Sequence, residues 1–509
     1  MKKLLYVLSL LIIASMVLTA CGGAQPAATN PPAATEPAGT EPPAATEPAA
    51  TESPAATEAP ASGEKVQIRW FVGLGTGTEP AQLPAQQKVV DDFNASQDKI
   101  ELVLEVVPFE SARDTLATQI AAGAGPDIVG PVGWGGSNAF FGQWLDLSPY
   151  IESSGFDTSV FDESLLGLYQ TEEGRVGLPF LVFPAATFYV PAMFDEAGLE
   201  YPPANYGDKY MLDGKEVEWN RETLAEVAKR LTVDVNGKNA TEDGFDSTQI
   251  VQFGFEPNYQ THTAYQATYI AGPADIVEGD SPGSYKSAMP DSWKEANKWI
   301  YDGMWGEQPF IATGPVQGSP EFGSGNPFNS GKVAMAISPL WYTCCLDDFK
   351  NAGNEFQAGI LPAGLDGQPH GRVDADTFRI WKGTKHPEEA FEVLSYLIGP
   401  EGIQTLVVGS DDVPAAYSGL PANAEFQGPY VEGLKTRYPF TTDETWDIFK
   451  AGFAYGDNPN AEQWQPNWNE AWDREQTFYG LMQNTPPDQM DFDAEWQKMV
   501  DDLNTIYNK

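Results

Sequence analysis

Val66-Gln-Ile-Arg-Trp-Phe-Val72 is the stretch on which the reading of this chain turns. Val66, Ile68, Trp70 and Val72 alternate, which is the two-residue period of a strand. Ala85, Val89 and Phe93 then recur at helical spacing, and residues 102–107 form a second apolar strand. Leu116, Ile120 and the alanines around them predict another helix, stopped by Gly123 and Gly125. Asp127-Ile-Val129 is a short buried strand. The order strand–helix–strand–helix–strand predicts a parallel sheet covered by helices. In such sheets ligands bind beyond the carboxyl ends of the strands. Two glycine-rich loops fall there, at residues 73–79 and 130–137, where the backbone can approach a ligand closely.

Upstream of this pattern the chain reads as an export signal and a spacer. Lys2 and Lys3 precede an apolar run over residues 4–17, and Leu18-Thr-Ala-Cys21 follows with small residues where cleavage falls. The run is shorter than the roughly 20 residues of a comfortable membrane span. An ordinary signal peptide or an uncleaved anchor is the competing reading. Leu18-Thr-Ala-Cys21 resembles a bacterial lipobox. That resemblance implies a signal peptide over 1–20, acylation of Cys21 and anchoring at the outer face of the cytoplasmic membrane. Two acyl chains are needed for durable anchoring, since one binds only marginally. Residues 21–63 repeat Pro-Ala-Ala-Thr at Pro26, Pro32, Pro43 and Pro54 and carry no bulky apolar residue, so they read as an extended tether.

Charge and composition bound the partners. The chain has 29 Lys and Arg against 72 Asp and Glu, a formal net charge of −43, which repels nucleic acid and other polyanions. With 42% hydrophobic residues, the remainder is nevertheless globular, and its length beyond residue 64 exceeds one core, so two domains are expected. Apart from Cys21, the only cysteines are Cys344 and Cys345. Adjacent cysteines in an exported protein read either as a vicinal disulfide or as two small buried apolar residues. Neither their number nor their spacing suggests a metal, and no cofactor is expected.

Farther along, Asn220 caps a helix whose apolar face is Leu224, Val227, Ala228 and Leu231. Pro387 opens another, with Ala390, Phe391, Leu394 and Ile398 on one side and Gly399-Pro400 at its end. Five stretches taken in order then resemble a known family. They are residues 122–129 with Gly125-Pro-Asp127, Trp144-Leu-Asp-Leu147, Leu178-Pro-Phe180 through Phe194-Asp-Glu-Ala-Gly-Leu199, Gly331-Lys-Val-Ala-Met335 ending in Trp341, and His386-Pro-Glu-Glu-Ala390 to Tyr396. Behind a lipobox, this series resembles the family 1 extracellular solute-binding proteins, the maltose-type binding proteins of ABC transporters. One departure is that Tyr189 is followed by Val190-Pro191, where the family usually has an Asn-Lys pair. Residues 204–218 and 232–250 also look inserted.

The resemblance implies a two-lobed α/β fold of the periplasmic-binding-protein type (type II). Each lobe is a mainly parallel sheet flanked by helices, and a hinge joins them. The expected division is 64–183 and 367–412 in the first lobe, and 184–366 and 413–509 in the second. The function implied is capture of a mono- or oligosaccharide between the lobes and delivery to an ABC permease, without catalysis and as a monomer. Closure would be a hinge motion selected by the ligand.

Candidate ligand contacts follow from position and chemistry. Trp134 should stand at the end of the 127–129 strand, facing the cleft. By resemblance, Trp341 occupies a position that stacks on sugar rings, and Trp464 and Trp468 fall where the family places a late aromatic contact. Phe183 lies in the crossing segment. For each aromatic, packing is the alternative. Sugar hydroxyls need paired hydrogen bonds, which Thr76 and Glu79 could supply from the first loop. Asp374 and Asp376 in Arg372-Val-Asp-Ala-Asp-Thr377 would share one face if extended. Solvated surface acids are the alternative for these carboxylates. Cys344 and Cys345 would form an apolar edge of the site beside Trp341. Asp234-Val-Asn-Gly-Lys238 starts like a calcium loop but puts Lys where an oxygen ligand belongs. A secreted glycoside hydrolase, a binding protein for another solute such as a polyamine, and a signalling receptor subunit are the rival functions.

Overall fold

The computed structural model describes residues 65–509 except Asn258, Tyr259 and Thr261, so the expected signal sequence, Cys21 and the expected tether lie outside the described residues. β1 (Val66–Val72), β2 (Ile100–Val106) and β3 (Ile128–Val132) pair in parallel with β1 in the middle, joined by the helices Leu83–Ser96 and Phe109–Ala121. Each helix takes a different face of β1. Ala85, Val89 and Phe93 pack with Ile68, Trp70 and Val72, whereas Ala112 and Leu116 pack with Phe71. That double cover is why Phe71, on the face opposite Trp70, is fully buried too.

β4 (Leu181–Phe183) belongs to the first sheet and β5 (Ala185–Tyr189) to a second, with only Pro184 between them. The second sheet adds β6 (Val233–Asp234), β7 (Ile250–Glu256), β8 (Val333–Pro339) and β9 (Gln357–Gly359), in the order β6-β7-β8-β5-β9. The chain then returns to the first sheet through β10 (Asp374–Ile380) and β11 (Leu420–Pro421), completing the order β11-β4-β10-β3-β1-β2. The helix Gln427–Arg437 packs on β11, whereas Asp443–Ala451 packs on β9 and β5, so a third crossing falls at residues 438–442. A return to the second lobe at residue 413 is the sequence expectation; the pairing of β11 with β4 keeps residues 420–421 in the first sheet.

The two-lobed α/β architecture is the one expected, but the sheets are mixed rather than mainly parallel. β10 runs antiparallel to β3 and β4, and β4 to β11. In the second sheet only β7 and β8 pair in parallel; β6–β7, β8–β5 and β9–β5 are antiparallel. The reason is connectivity. Parallel neighbours arise from crossover helices within a lobe, while a strand arriving from the other lobe enters its sheet from the opposite end.

The Asn220 cap forms as read, its Oδ1 accepting from the Thr223 N–H at 2.9 Å, and Leu224, Val227, Ala228 and Leu231 are buried. This helix lies so close to β7 that a Cβ at Gly254 would meet the Ala228 carbonyl at 1.9 Å, which only glycine avoids. The Pro387–Leu397 helix buries Ala390, Phe391 and Leu394 against the first lobe. The helices Thr263–Ala271, Asp291–Trp305, Trp468–Asn484 and Phe492–Tyr507 build the helical side of the second lobe.

Candidate functional site between the lobes

Arg372, Asp374 and Asp376 occur at alternate positions where the chain enters the first sheet for the second time. Asp374 stands opposite Phe183 and Asp376 opposite Leu181, so both carboxylates share one face of β10. Arg372 is fully buried, and its guanidinium lies 3.6 Å from the centre of the Tyr265 ring. Its Nε donates to Asp374 Oδ1 at 2.6 Å and its Nη2 donates to Asp374 Oδ2, a two-pronged pair. Trp341 Nε1 donates to the same Oδ2 at 2.7 Å. Burial alone would lower the Arg372 pKa, but Asp374 and the neighbouring Tyr265 and Tyr269 hold it well above its ordinary value.

Glu462 connects the lobes. Its Oε2 accepts from the Gly135 backbone N–H at 2.9 Å and its carbonyl accepts from Asn138 Nδ2 at 2.6 Å, both in the short helix Trp134–Asn138 that follows β3. The Tyr265 hydroxyl, from the second lobe, donates to Glu462 Oε1. Phe141 and Trp464 stack across the same boundary with centroids 4.5 Å apart. Burial, and then the nearby Asp374, push the Glu462 pKa up. Asp457 sits behind the cluster, accepting from the Val373 and Ala461 N–H groups at 2.9 and 2.8 Å.

Asp376 differs from its neighbours. Among the described residues its carboxylate has no hydrogen-bond or ion-pair partner, and burial, Asp374 and Glu462 together push its pKa up to about 7. Tyr417 is 2% exposed and Tyr169 0%, yet neither hydroxyl is hydrogen-bonded. Both phenols lie within electrostatic reach of Asp376, which raises the Tyr417 pKa further after burial has already done so. Buried polar groups are seldom left without a partner. Two around one half-buried carboxylate therefore mark a place built to hold polar atoms of a ligand. A Cβ on Gly133 would come within 3.2 Å of Asp376 Oδ1, so the missing side chain keeps that side open. Arg379, behind Trp134, is also buried, its pKa lowered by burial to about 10 and its guanidinium carbon 4.6 Å from the Trp134 ring centre.

Residues 76–404, more than half of the chain, match the family described as bacterial extracellular solute-binding protein. The chain belongs to this family. Solved structures agree on the fold. An ABC substrate-binding protein of Listeria monocytogenes in complex with cycloalternan is similar over 87% of this solute-binding protein and 99% of its own chain, with a TM-score of 0.63 and 18% identity. The maltose/maltodextrin-binding domain of Bdellovibrio bacteriovorus bound to maltotriose is similar over 86% and 99%, with a TM-score of 0.56 and 17% identity. In sequence, a binding protein of Brucella abortus is 24% identical over 318 residues, 62% of this chain and 68% of its own. No helix among the described residues is long and apolar enough to cross a membrane.

In this solute-binding protein the sequence candidates divide into three groups. Trp134, Trp341, Asp374 and Asp376 come together around the crossing strands. Trp134 has part of its ring taken by protein, stacked on Tyr169 at 5.9 Å and against Arg379. Thr76 is close by: Gln82 Nε2 donates to its hydroxyl at 2.9 Å and to the Ala416 carbonyl, next to Tyr417, at 2.8 Å. A second group lies along the seam between the lobes. Trp464 and the buried Trp468 line a cavity of about 350 Å³ with Asn138 and Phe141. A larger hollow of about 780 Å³, between Ile151 and Leu166, shares no lining residue with the cluster. The rest sit elsewhere. Glu79 is exposed, its backbone N–H donating to Gln82 Oε1 at 3.1 Å and its carbonyl accepting from the Gln82 N–H at 2.9 Å. Phe183 is buried, its ring against the position where a Cβ on Gly419 would stand. Cys344 and Cys345 are disulfide-bonded to each other on the 3-10 turn that also carries Trp341.

Arg372, Glu462, Tyr265, Tyr169 and Tyr417 escaped the sequence reading. Arg372 carried a signal: it continues the two-residue alternation that picked out Asp374 and Asp376. Glu462 stands two residues before Trp464. The tyrosines come from segments far apart in sequence, and nothing local marks them. In the Asp234 loop, the carboxylate accepts from the Asn236 and Asp246 N–H groups at 2.8 and 2.9 Å, and the Lys238 ammonium donates to the Asp243 carbonyl.

Proposed function

We propose that this solute-binding protein captures a carbohydrate between its lobes and delivers it to an ABC permease, held at the outer face of the membrane through a lipid on Cys21. The observation that carries the reading is the Asp376 surround. A carboxylate and two buried phenol hydroxyls without partners lie beside Trp134, at the strands where the chain passes between lobes. Carboxylates accept from vicinal hydroxyls, and flat indole faces suit the C–H faces of a sugar ring. The saccharides held by the Listeria and Bdellovibrio proteins support the same class. Membership of a solute-binding family supports capture rather than hydrolysis.

Thermal melting of the full chain against a panel of mono- and oligosaccharides, amino acids and polyamines tests this. A ligand that binds only the folded protein must raise the melting temperature with its concentration. A rise with one saccharide class, and unchanged saccharide on product analysis, is the expected result. A rise only with amino acids, or breakdown of the saccharide, would overturn it. For the anchor, incorporation of labelled fatty acid that disappears in Cys21→Ser is the expected outcome.

A further inference from the structure

We propose that the ligand is an amino sugar, and that the Asp376 carboxylate receives its protonated amine. The inference rests on the carbohydrate reading above and narrows it.

Charge balance is the first argument. Three carboxylates, Asp374, Asp376 and Glu462, influence one another at the crossing strands, against one nearby cation, Arg372. Arg372 is paired with Asp374 through its Nε and Nη2, its Nη2 stays 3.9 Å from Glu462 Oε1, and its buried Nη1 has no hydrogen-bond partner. Glu462 is taken up by Gly135 and Tyr265. Arg379 faces away from the carboxylates, donating to the Val176 carbonyl at 2.9 Å and to the Ser137 hydroxyl at 3.2 Å. Asp376 is left uncompensated. A neutral hydroxyl would give it a hydrogen bond but no counter-charge. An ammonium gives both, and charge-assisted hydrogen bonds are roughly twice as strong as neutral ones.

The second argument is what surrounds that carboxylate. An ammonium has three N–H donors to place. Asp376 takes one, and the hydroxyl oxygens of Tyr169 and Tyr417, 0% and 2% exposed and without partners, are acceptors for the others or for adjacent ring hydroxyls. Gly133 leaves room on the Asp376 side. The part of the Trp134 ring not covered by Tyr169 and Arg379 favours a cation and a sugar ring alike. At longer range, the net charge of −43 draws cations towards the cleft.

Calorimetric titration of the full chain with matched pairs tests it: glucose and glucosamine, galactose and galactosamine, cellobiose and the β-1,4-linked glucosamine dimer, with spermidine alongside. The amino member of at least one pair should bind at least about tenfold more tightly than its neutral partner, a difference of about 1.4 kcal/mol. In Asp376→Asn that preference should collapse while the melting temperature without ligand holds or rises, separating a lost contact from a lost fold. Gly133→Ala, which leaves all charges in place and crowds Asp376, should weaken the amino member as well. A neutral sugar that binds as tightly as its amino partner, or a preference that survives in Asp376→Asn, overturns the proposal and leaves the carbohydrate reading standing. Binding of spermidine alone, or of nothing in the panel, overturns both.

Discussion

Asp374 and Asp376 stand two residues apart on one face of one strand, and their surroundings are opposite. Asp374 is gripped by two nitrogens of Arg372 and by the Trp341 indole. Asp376 touches no hydrogen-bond donor among the described residues, and its pKa is pushed up to about 7. A carboxylate whose charge is answered by the protein is architecture. Here it ties the crossing strand to the turn that carries Trp341. A carboxylate left unanswered among buried hydroxyls costs stability, and is explained when a ligand supplies what the protein withholds.

The comparison breaks most readily at Arg372. Arg372→Ala leaves Asp374 and Glu462 without a cation, and removing one partner of a buried pair costs about 3–5 kcal/mol. Denaturant unfolding should register a loss of that order, and a loss under about 1 kcal/mol would mean that Asp374 is no better satisfied than Asp376. The converse substitution should do the opposite. The Asp376 pKa in the folded state lies above its unfolded value of about 3.9, so its contribution to stability is full below about pH 4 and is lost as pH rises through about 7. Asp376→Asn should therefore leave the ligand-free protein nearly unchanged at about pH 4 and raise its stability by up to a few kcal/mol at pH 8. Asp457, at about 7, and Glu256 and Glu475, both at about 8 through burial, carry the same sign. The melting temperature of the ligand-free wild type should thus fall from pH 5 to pH 8, and less steeply in Asp376→Asn. His262, held at about 3 by burial, opposes this only below about pH 6.5. The smallest effect is expected from Trp341→Phe, which keeps a ring and removes one hydrogen bond to Asp374, for a loss of about 1–2 kcal/mol with Arg372 still in place. A loss as large as that of Arg372→Ala would shift the weight of the pair onto the indole.

Much of the fold was legible because its signals are local. The alternation from Val66 to Val72, the helical spacing of Ala85, Val89 and Phe93, and the Asn220 cap each depend on a dozen residues or fewer. Strand direction was not legible in this way. The antiparallel entry of β10 follows from a crossing between lobes that no local period records. The site divides along the same line. Asp374 and Asp376 were visible as a two-residue alternation, and that alternation extends back to Arg372. Tyr169 and Tyr417 were not visible, because burial of a phenol without a partner is a property of packing and not of spacing. The same limit explains Phe183 and Glu79: one sits in the core at the crossing and the other on the surface, positions that a crossing strand and an acidic loop permit equally.

The account stands most directly on a titration of the saccharide found in the melting screen into the wild-type full chain and into Asp376→Asn. It predicts saturable one-to-one binding, with the saccharide recovered intact and affinity at least about tenfold lower in the variant. Equal affinity in the two proteins, or turnover of the saccharide, would contradict a binding site centred on Asp376.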